Sequence, residues 1–176
     1  MGELARSASA VGGKAPPAMA RRAVWASARK DLVGTALGES RVWFTLAQGT
    51  VSEVYYPRID IPQIRDLDII VADGEGFWVS ISGLAGYGVE WVDTDIPAAT
   101  ITHRHARFTL RLRICTDPRR DVLLVDLDLD GDADLRPYLV LAARLGEDAE
   151  SNRAWADVWD GRPTLWAEQG PFGLAL

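Results

Sequence analysis

The sequence predicts an all-β protein, an antiparallel β-sandwich, on three observations. From Arg41 onward apolar and polar residues alternate with a period of two. The alternating runs are rich in β-branched and aromatic residues and are separated by Gly or Pro, as half-buried strands are. No stretch carries the i, i+3, i+4 apolar stripe of an amphipathic helix. About a dozen short strands at regular spacing, with no internal repeat or linker, fit two packed sheets.

The strands follow in order. Residues 1–24 are set apart as a flexible head rich in Ala and Arg, with Pro16-Pro17 and no sustained periodicity, and the folded domain is expected over 25–176. The first predicted strands are Val42 to Ala47 and Thr50 to Tyr56, then Leu67 to Ala72, Gly76 to Ile81 and Tyr87 to Val92. Thr100 to His103, Arg107 to Ile114, Asp121 to Leu129 and Arg136 to Ala143 come next, then Ala154 to Trp159, Thr164 to Glu168 and an apolar end at Phe172 to Leu176. Asp-Gly recurs at Asp73-Gly74, Asp130-Gly131 and Asp160-Gly161; each pair accepts the positive φ of a tight hairpin, and the last sits at the centre of the clearest one.

Composition bounds the function. The chain has 176 residues, 48% hydrophobic and 25% charged, enough for one domain with a core. A single cysteine, Cys115, excludes an internal disulfide framework. No apolar run reaches the ~20 residues that span a bilayer. Charge is split: residues 1–30 hold six bases against one acid, and the rest hold 13 bases against 24 acids. An acidic body without a basic stripe disfavours nucleic acid and leaves neutral polyhydroxylated ligands or protein surfaces. The head lacks a secretory h-region, resembles a transit peptide only in being Arg-rich and acid-poor, and contains Met19 as a second candidate start; cytoplasm is the default compartment.

Motifs for chemistry are sparse. Asp126-Leu-Asp128-Leu-Asp130-Gly131 opens like a calcium loop, but the twelfth position is Pro137 and no helices flank it; a solvated strand face is the expected reading. His103 and His105 share a strand face without an identifiable third ligand. No nucleophile elbow or phosphate-cradling loop is present, so no catalytic residue, metal site or cofactor is expected. Trp155 and Trp159, an even number apart, lie on one strand face. An indole plane suits the apolar face of a sugar ring, although most tryptophans fill cores.

One segment is more specific. Val33-Gly34-Thr35-Ala36, the run from Val42-Trp43-Phe44 through Gln48-Gly49-Thr50 to Tyr55-Tyr56-Pro57, and Ile61-Pro62-Gln63-Ile64-Arg65-Asp66-Leu67 carry a family pattern. So do Ile70 to Trp78, Asn152 to Trp155 and Gly161-Arg162-Pro163. Over residues 25–176 the chain resembles the N-terminal domain of prokaryotic glucodextranases and glucoamylases of glycoside hydrolase family 15. The resemblance implies a large galactose-mutarotase-like sandwich that packs on an (α/α)₆ barrel, in the same or an adjacent reading frame. It also implies α-glucan oligosaccharides as substrates of exo-hydrolysis with inversion, which needs an acid and a base about 6.5–9.5 Å apart. Those carboxylates belong to the barrel and have no counterpart in this sequence. The chain ends in an apolar strand, so the sandwich is expected to be incomplete and stand-alone activity absent. Two rivals stay open: a free-standing carbohydrate-binding module and an inactive remnant.

The loop from Tyr55 to Pro62 is the expected functional element. Two prolines stiffen it, Tyr55 and Tyr56 offer stacking faces and hydroxyls, and Arg58 and Asp60 suit hydroxyl binding. It is expected to border the sugar site or seal the interface with the barrel. The bland alternative is a stiff connection with half-buried tyrosines.

Overall fold

The computed structural model describes residues 29–93, 95–147 and 152–176. The predicted head lies outside the described residues. Within them the chain forms thirteen strands in three antiparallel sheets and two short 3₁₀ turns. The six-stranded sheet holds β1 (Leu32–Thr35), β2 (Trp43–Ala47), β3 (Thr50–Tyr55), β4 (Pro62–Ala72), β5 (Trp78–Ser80) and β10 (Arg136–Ala143). The four-stranded sheet holds β6 (Tyr87–Trp91), β7 (Ala99–His105), β8 (Phe108–Thr116) and β9 (Leu123–Gly131). The three-stranded sheet holds β11 (Arg153–Trp159), β12 (Arg162–Gln169) and β13 (Phe172–Ala175).

The two larger sheets pack face to face. Phe44, Leu46, Val51, Ile69 and Val71 from one meet Ile101, Leu110, Leu112 and Ile114 from the other in a single buried cluster. Alternation places Arg111 and Arg113 on the outer side of β8, where they pair with Asp128 and Asp126 of β9 at 3.2 and 2.5 Å. The calcium-like run is therefore a strand whose carboxylates face water and arginine, while Val125, Leu127 and Leu129 turn inward and are half-buried.

β4 is the spine. β10 pairs along one edge from Ile64 to Ala72, and β3 and β5 divide the other. It starts at Pro62 rather than at Leu67, because a bulge interrupts strict alternation between Ile64 and Leu67 while keeping both in the core. β1 has no counterpart among the predicted strands. Its Gly34 sits directly opposite Phe44, whose ring occupies the space a Cβ would need.

Turn chemistry follows the expectation only in part. Asp160 and Gly161, at φ of 49° and 75°, close the β11–β12 hairpin. Asp73 starts the β4–β5 turn by accepting hydrogen bonds from the backbone N–H groups of Glu75 and Phe77. Asp130-Gly131 does not turn: both remain in β9, and Gly131 pairs with Phe108. The β2–β3 hairpin uses Gln48-Gly49 instead, both at positive φ. Predicted strand Asp121 to Leu129 begins at Leu123, since Asp117 holds residues 117–122 in a turn by accepting from the N–H groups of Arg119 and Arg120.

Arg107, in the two-residue β7–β8 turn, ties the layers together. Its guanidinium donates to Asp132 at 2.7 Å, Asp73 at 2.9 Å and Asp134 at 3.1 Å, and lies 4.5 Å from the centre of the Phe77 ring. These bonds hold the Asp73 carboxyl below the usual carboxylate range and raise Arg107 further above its own.

Candidate functional site

The β3–β4 connection, from Tyr55 to Pro62, divides its two tyrosines between opposite sides of the six-stranded sheet. Tyr55 ends β3 opposite Trp43 and Pro62 and faces outward with Glu53 and Thr45. Burial, and then the neighbouring Glu53 carboxylate, push its hydroxyl up to about 12. Glu53 also pairs with Lys30 at 2.7 Å, and Lys30 reaches Ser52 at 3.3 Å. Thr45 and Ser52 join at 2.8 Å, so five side chains share one half-buried polar network.

Tyr56 packs against the sandwich core. Its hydroxyl accepts from Arg41, whose guanidinium lies 4.8 Å from the centre of the Tyr56 ring and donates to Asp121 at 2.7 Å. The Arg41 backbone N–H also donates to Asp121, at 2.8 Å. The side-chain bond from Arg41 is the main reason the Asp121 carboxyl lies below its ordinary range. Tyr56 thus joins the loop to a turn that follows β8, a link spanning 80 residues between Arg41 and Asp121. Behind it, buried Gln63 donates to the Tyr56 carbonyl at 2.7 Å.

Arg58 and Asp60 stand exposed at the tip and bind each other through two contacts of 3.0 and 2.6 Å. The backbone bonds Tyr56 N–H to Ile61 carbonyl and Ile61 N–H to Arg58 carbonyl close the loop on itself. The four expected residues therefore share a loop without converging on one point. Tyr55 belongs to the outer network, Tyr56 to the core-side clamp, and Arg58 with Asp60 to the solvent-facing tip. Sequence reasoning missed Lys30, Arg41, Glu53 and Asp121, because their partnership depends on strand register rather than on local spacing.

The two histidines point inward but apart in role. His103 is fully buried, and its Nε2 lies 2.7 Å from the Gly49 carbonyl oxygen. A carbonyl only accepts, so Nε2 carries the proton, and Nδ1 has no partner among the described residues. Burial lowers the His103 pKa, against a smaller opposing effect of the Gly49 bond. His105 stacks on Phe108 at 5.0 Å and lies 5.4 Å from Phe77. Among the described residues, no group of three or more His, Cys, Asp or Glu is placed to hold a metal ion. Nor is any helix there long and apolar enough to cross a membrane.

A cleft of about 340 Å³ opens between β10 and the three-stranded sheet, lined by residues that include Leu139, Leu141, Leu165, Trp166 and Leu174. Its walls are aliphatic and aromatic, with no acid–base pair among them.

Comparison with known proteins fits this architecture. Residues 15–176 match the family described as glucodextranase, domain N. The chain belongs to that family. This glucodextranase N-domain is 38% identical over 159 residues to a glucoamylase of Clostridium sp. (strain G0005). That match takes in 86% of the chain but 23% of the relative. It also superimposes on the crystal structure of a bacterial glucoamylase complexed with acarbose, with a TM-score of 0.78 and 30% identity, over 82% of this chain and 23% of that one. The glucodextranase N-domain thus spans less than a quarter of the length of either relative, and the antiparallel sandwich is the portion shared.

Proposed function

We propose that this chain serves as the non-catalytic N-terminal sandwich of an inverting, exo-acting α-glucan hydrolase, bracing an (α/α)₆ barrel and shaping access to its pocket. The observation that carries the reading is the coverage: a match over most of this chain occupies 23% of a glucoamylase. The remaining length of that relative is where a barrel and its carboxylates belong. α-Glucan oligosaccharides are the substrates of the whole enzyme.

The Tyr55 to Pro62 loop is the part of the sandwich we assign to the barrel interface. Arg41, Asp121 and Gln63 hold it from behind, and Arg58 and Asp60 are left at the tip, where a partner surface or a sugar hydroxyl meets them. A preorganised loop loses little conformational entropy on docking.

A chimaera tests both parts. The matching segment of the Clostridium sp. glucoamylase is replaced by this chain, and glucose release from maltotetraose and isomaltotriose is measured. The chimaera is expected to be active, the isolated chain inactive, and Tyr56→Ala in the chimaera to raise KM or lower Tm. Glucose release by the isolated chain overturns the non-catalytic role. Unchanged kinetics and Tm in the Tyr56→Ala chimaera overturn the role of the loop.

A further inference from the structure

The strands of the two larger sheets run between two ends of the sandwich, and their connections differ in kind at the two ends. One end holds the β2–β3, β4–β5 and β7–β8 turns and the β9–β10 connection. Arg107 gathers Asp73, Asp132 and Asp134 there, and Phe77 and Leu135 pack on the core. The opposite end holds residues 36–42 between β1 and β2, 56–61 between β3 and β4, 92–98 between β6 and β7, and 117–122 between β8 and β9. Each of these four connections raises a large apolar side chain into solvent: Leu37 at 74% exposure, Ile59 at 53%, Val92 at 59% and Val122 at 40%. Among the described residues, the turns of the first end raise none. Single exposed aliphatics scattered over a surface are ordinary, but their confinement to the loops of one end asks for a cause.

Three of the four loops are fastened to one another. Arg41 binds both Tyr56 and Asp121, which joins 36–42, 56–61 and 117–122. The N–H groups of Glu39 and Ser40 donate to the Pro118 carbonyl at 2.8 and 3.4 Å. Gly38 allows that approach, since a Cβ there would lie 2.2 Å from the same oxygen. Leu37, Ile59 and Val122 therefore ride on one frame rather than on three independent loops. The charges of the frame are engaged within it: Arg58 binds Asp60, and Asp117 accepts from the N–H groups of Arg119 and Arg120.

The four loops carry four arginines against six carboxylates, so this end offers no net positive charge to a phosphate or an anionic membrane. The one aromatic ring of the fastened frame, Tyr56, is covered by Arg41 and the core, which leaves no plane for a sugar to stack on. Aliphatic anchors set among self-paired charges are the anatomy of a protein–protein interface. We infer that this loop end is the surface by which the sandwich docks on the barrel of the whole enzyme, with Leu37, Ile59 and Val122 as its apolar anchors. Docking at this end rests on the bracing role proposed above and extends it from one loop to a frame of three.

The chimaera with the Clostridium sp. glucoamylase is compared with the full chain alone. In the chain alone, Leu37→Ser and Ile59→Ser are expected to leave Tm unchanged, because both side chains are exposed. In the chimaera each is expected to shorten the half-life of glucose release at elevated temperature about tenfold, as loss of one buried aliphatic contact does. Trp78→Ser, at an exposed tryptophan near the other end, is expected to change neither. Equal half-lives of the parent, Leu37→Ser and Ile59→Ser chimaeras, in a fusion that folds and releases glucose, overturn the inference and leave the bracing role standing. So does an equal loss in Trp78→Ser, or a fall in Tm of Leu37→Ser and Ile59→Ser in the chain alone. A chimaera that does not fold overturns the bracing role and this surface with it. Sedimentation of the chain alone tests a second copy as the occupant: a dimer dispersed by Ile59→Ser overturns docking on the barrel.

Discussion

Replacing Gly34 by Ala tests how β1 is built into the sheet. A methyl group at this position would come within 2.3 Å of Phe44 Cζ and 2.5 Å of Cε1. Phe44 is fully buried and flanked by Leu46, Val54 and the second sheet, so its ring has no free direction of movement. Overpacking of this kind costs about 1–3 kcal/mol. A Gly→Ala change returns about 0.4–1 kcal/mol by restricting the unfolded chain. The net expectation is a loss of about 1–2 kcal/mol, or ~2–8 °C in Tm for a chain of this length. Urea unfolding followed by tryptophan fluorescence measures it. The decisive control is Phe44→Leu, which removes the three ring atoms nearest the new methyl. In that background Gly34→Ala should cost almost nothing, a coupling of about 1–2 kcal/mol. Additive losses within ~0.5 kcal/mol, or a Gly34→Ala protein as stable as the parent, would refute the steric argument.

Two other perturbations follow from the buried polar groups. Burial depresses the His103 pKa, so the unfolded chain takes up a proton near its ordinary value of 6.5 while the folded chain resists. Stability is therefore full above that pH and falls as pH drops below it; His103→Gln, which keeps a donor for Gly49, should flatten the decline in urea midpoint between about pH 7.5 and 5.5. Arg107→Met would leave Asp73, Asp132 and Asp134 gathered without their cation. Its Tm should fall, with part of the loss restored by molar NaCl, because salt screens carboxylate repulsion; an identical salt response in parent and variant would contradict this.

How much was legible varied with the range of the interaction. Alternation located most strands, because burying one face of a sheet writes a period of two into the chain. It failed at β1, where Gly34 serves the Phe44 ring across the ladder and has no meaning read alone. It failed again before Leu67, where a bulge shifts the phase between two core residues. The loop of Tyr55 to Pro62 stood out in sequence, but the division of its tyrosines to opposite faces did not. That division follows from the bulges in β3 and from Arg41 and Asp121, 80 residues apart. The shared face of Trp155 and Trp159 was readable from parity. The presence of Trp166 beside them needed the register of the hairpin.

The position of β10 has a consequence for how the protein emerges from the ribosome. β4 is complete at Ala72, but its long edge is paired only when Arg136 to Ala143 has been made. Roughly 60 residues, including the entire four-stranded sheet, are synthesised in between. At about 5–20 residues per second this leaves that edge of β4, with its unpaired N–H and C=O groups, open for ~3–12 s. During that interval the nascent chain offers an unpaired template to any other strand. Expression yield should then depend on elongation speed and holdase chaperones more than on the stability of the finished sandwich, as for other folds closed by a late, distant strand.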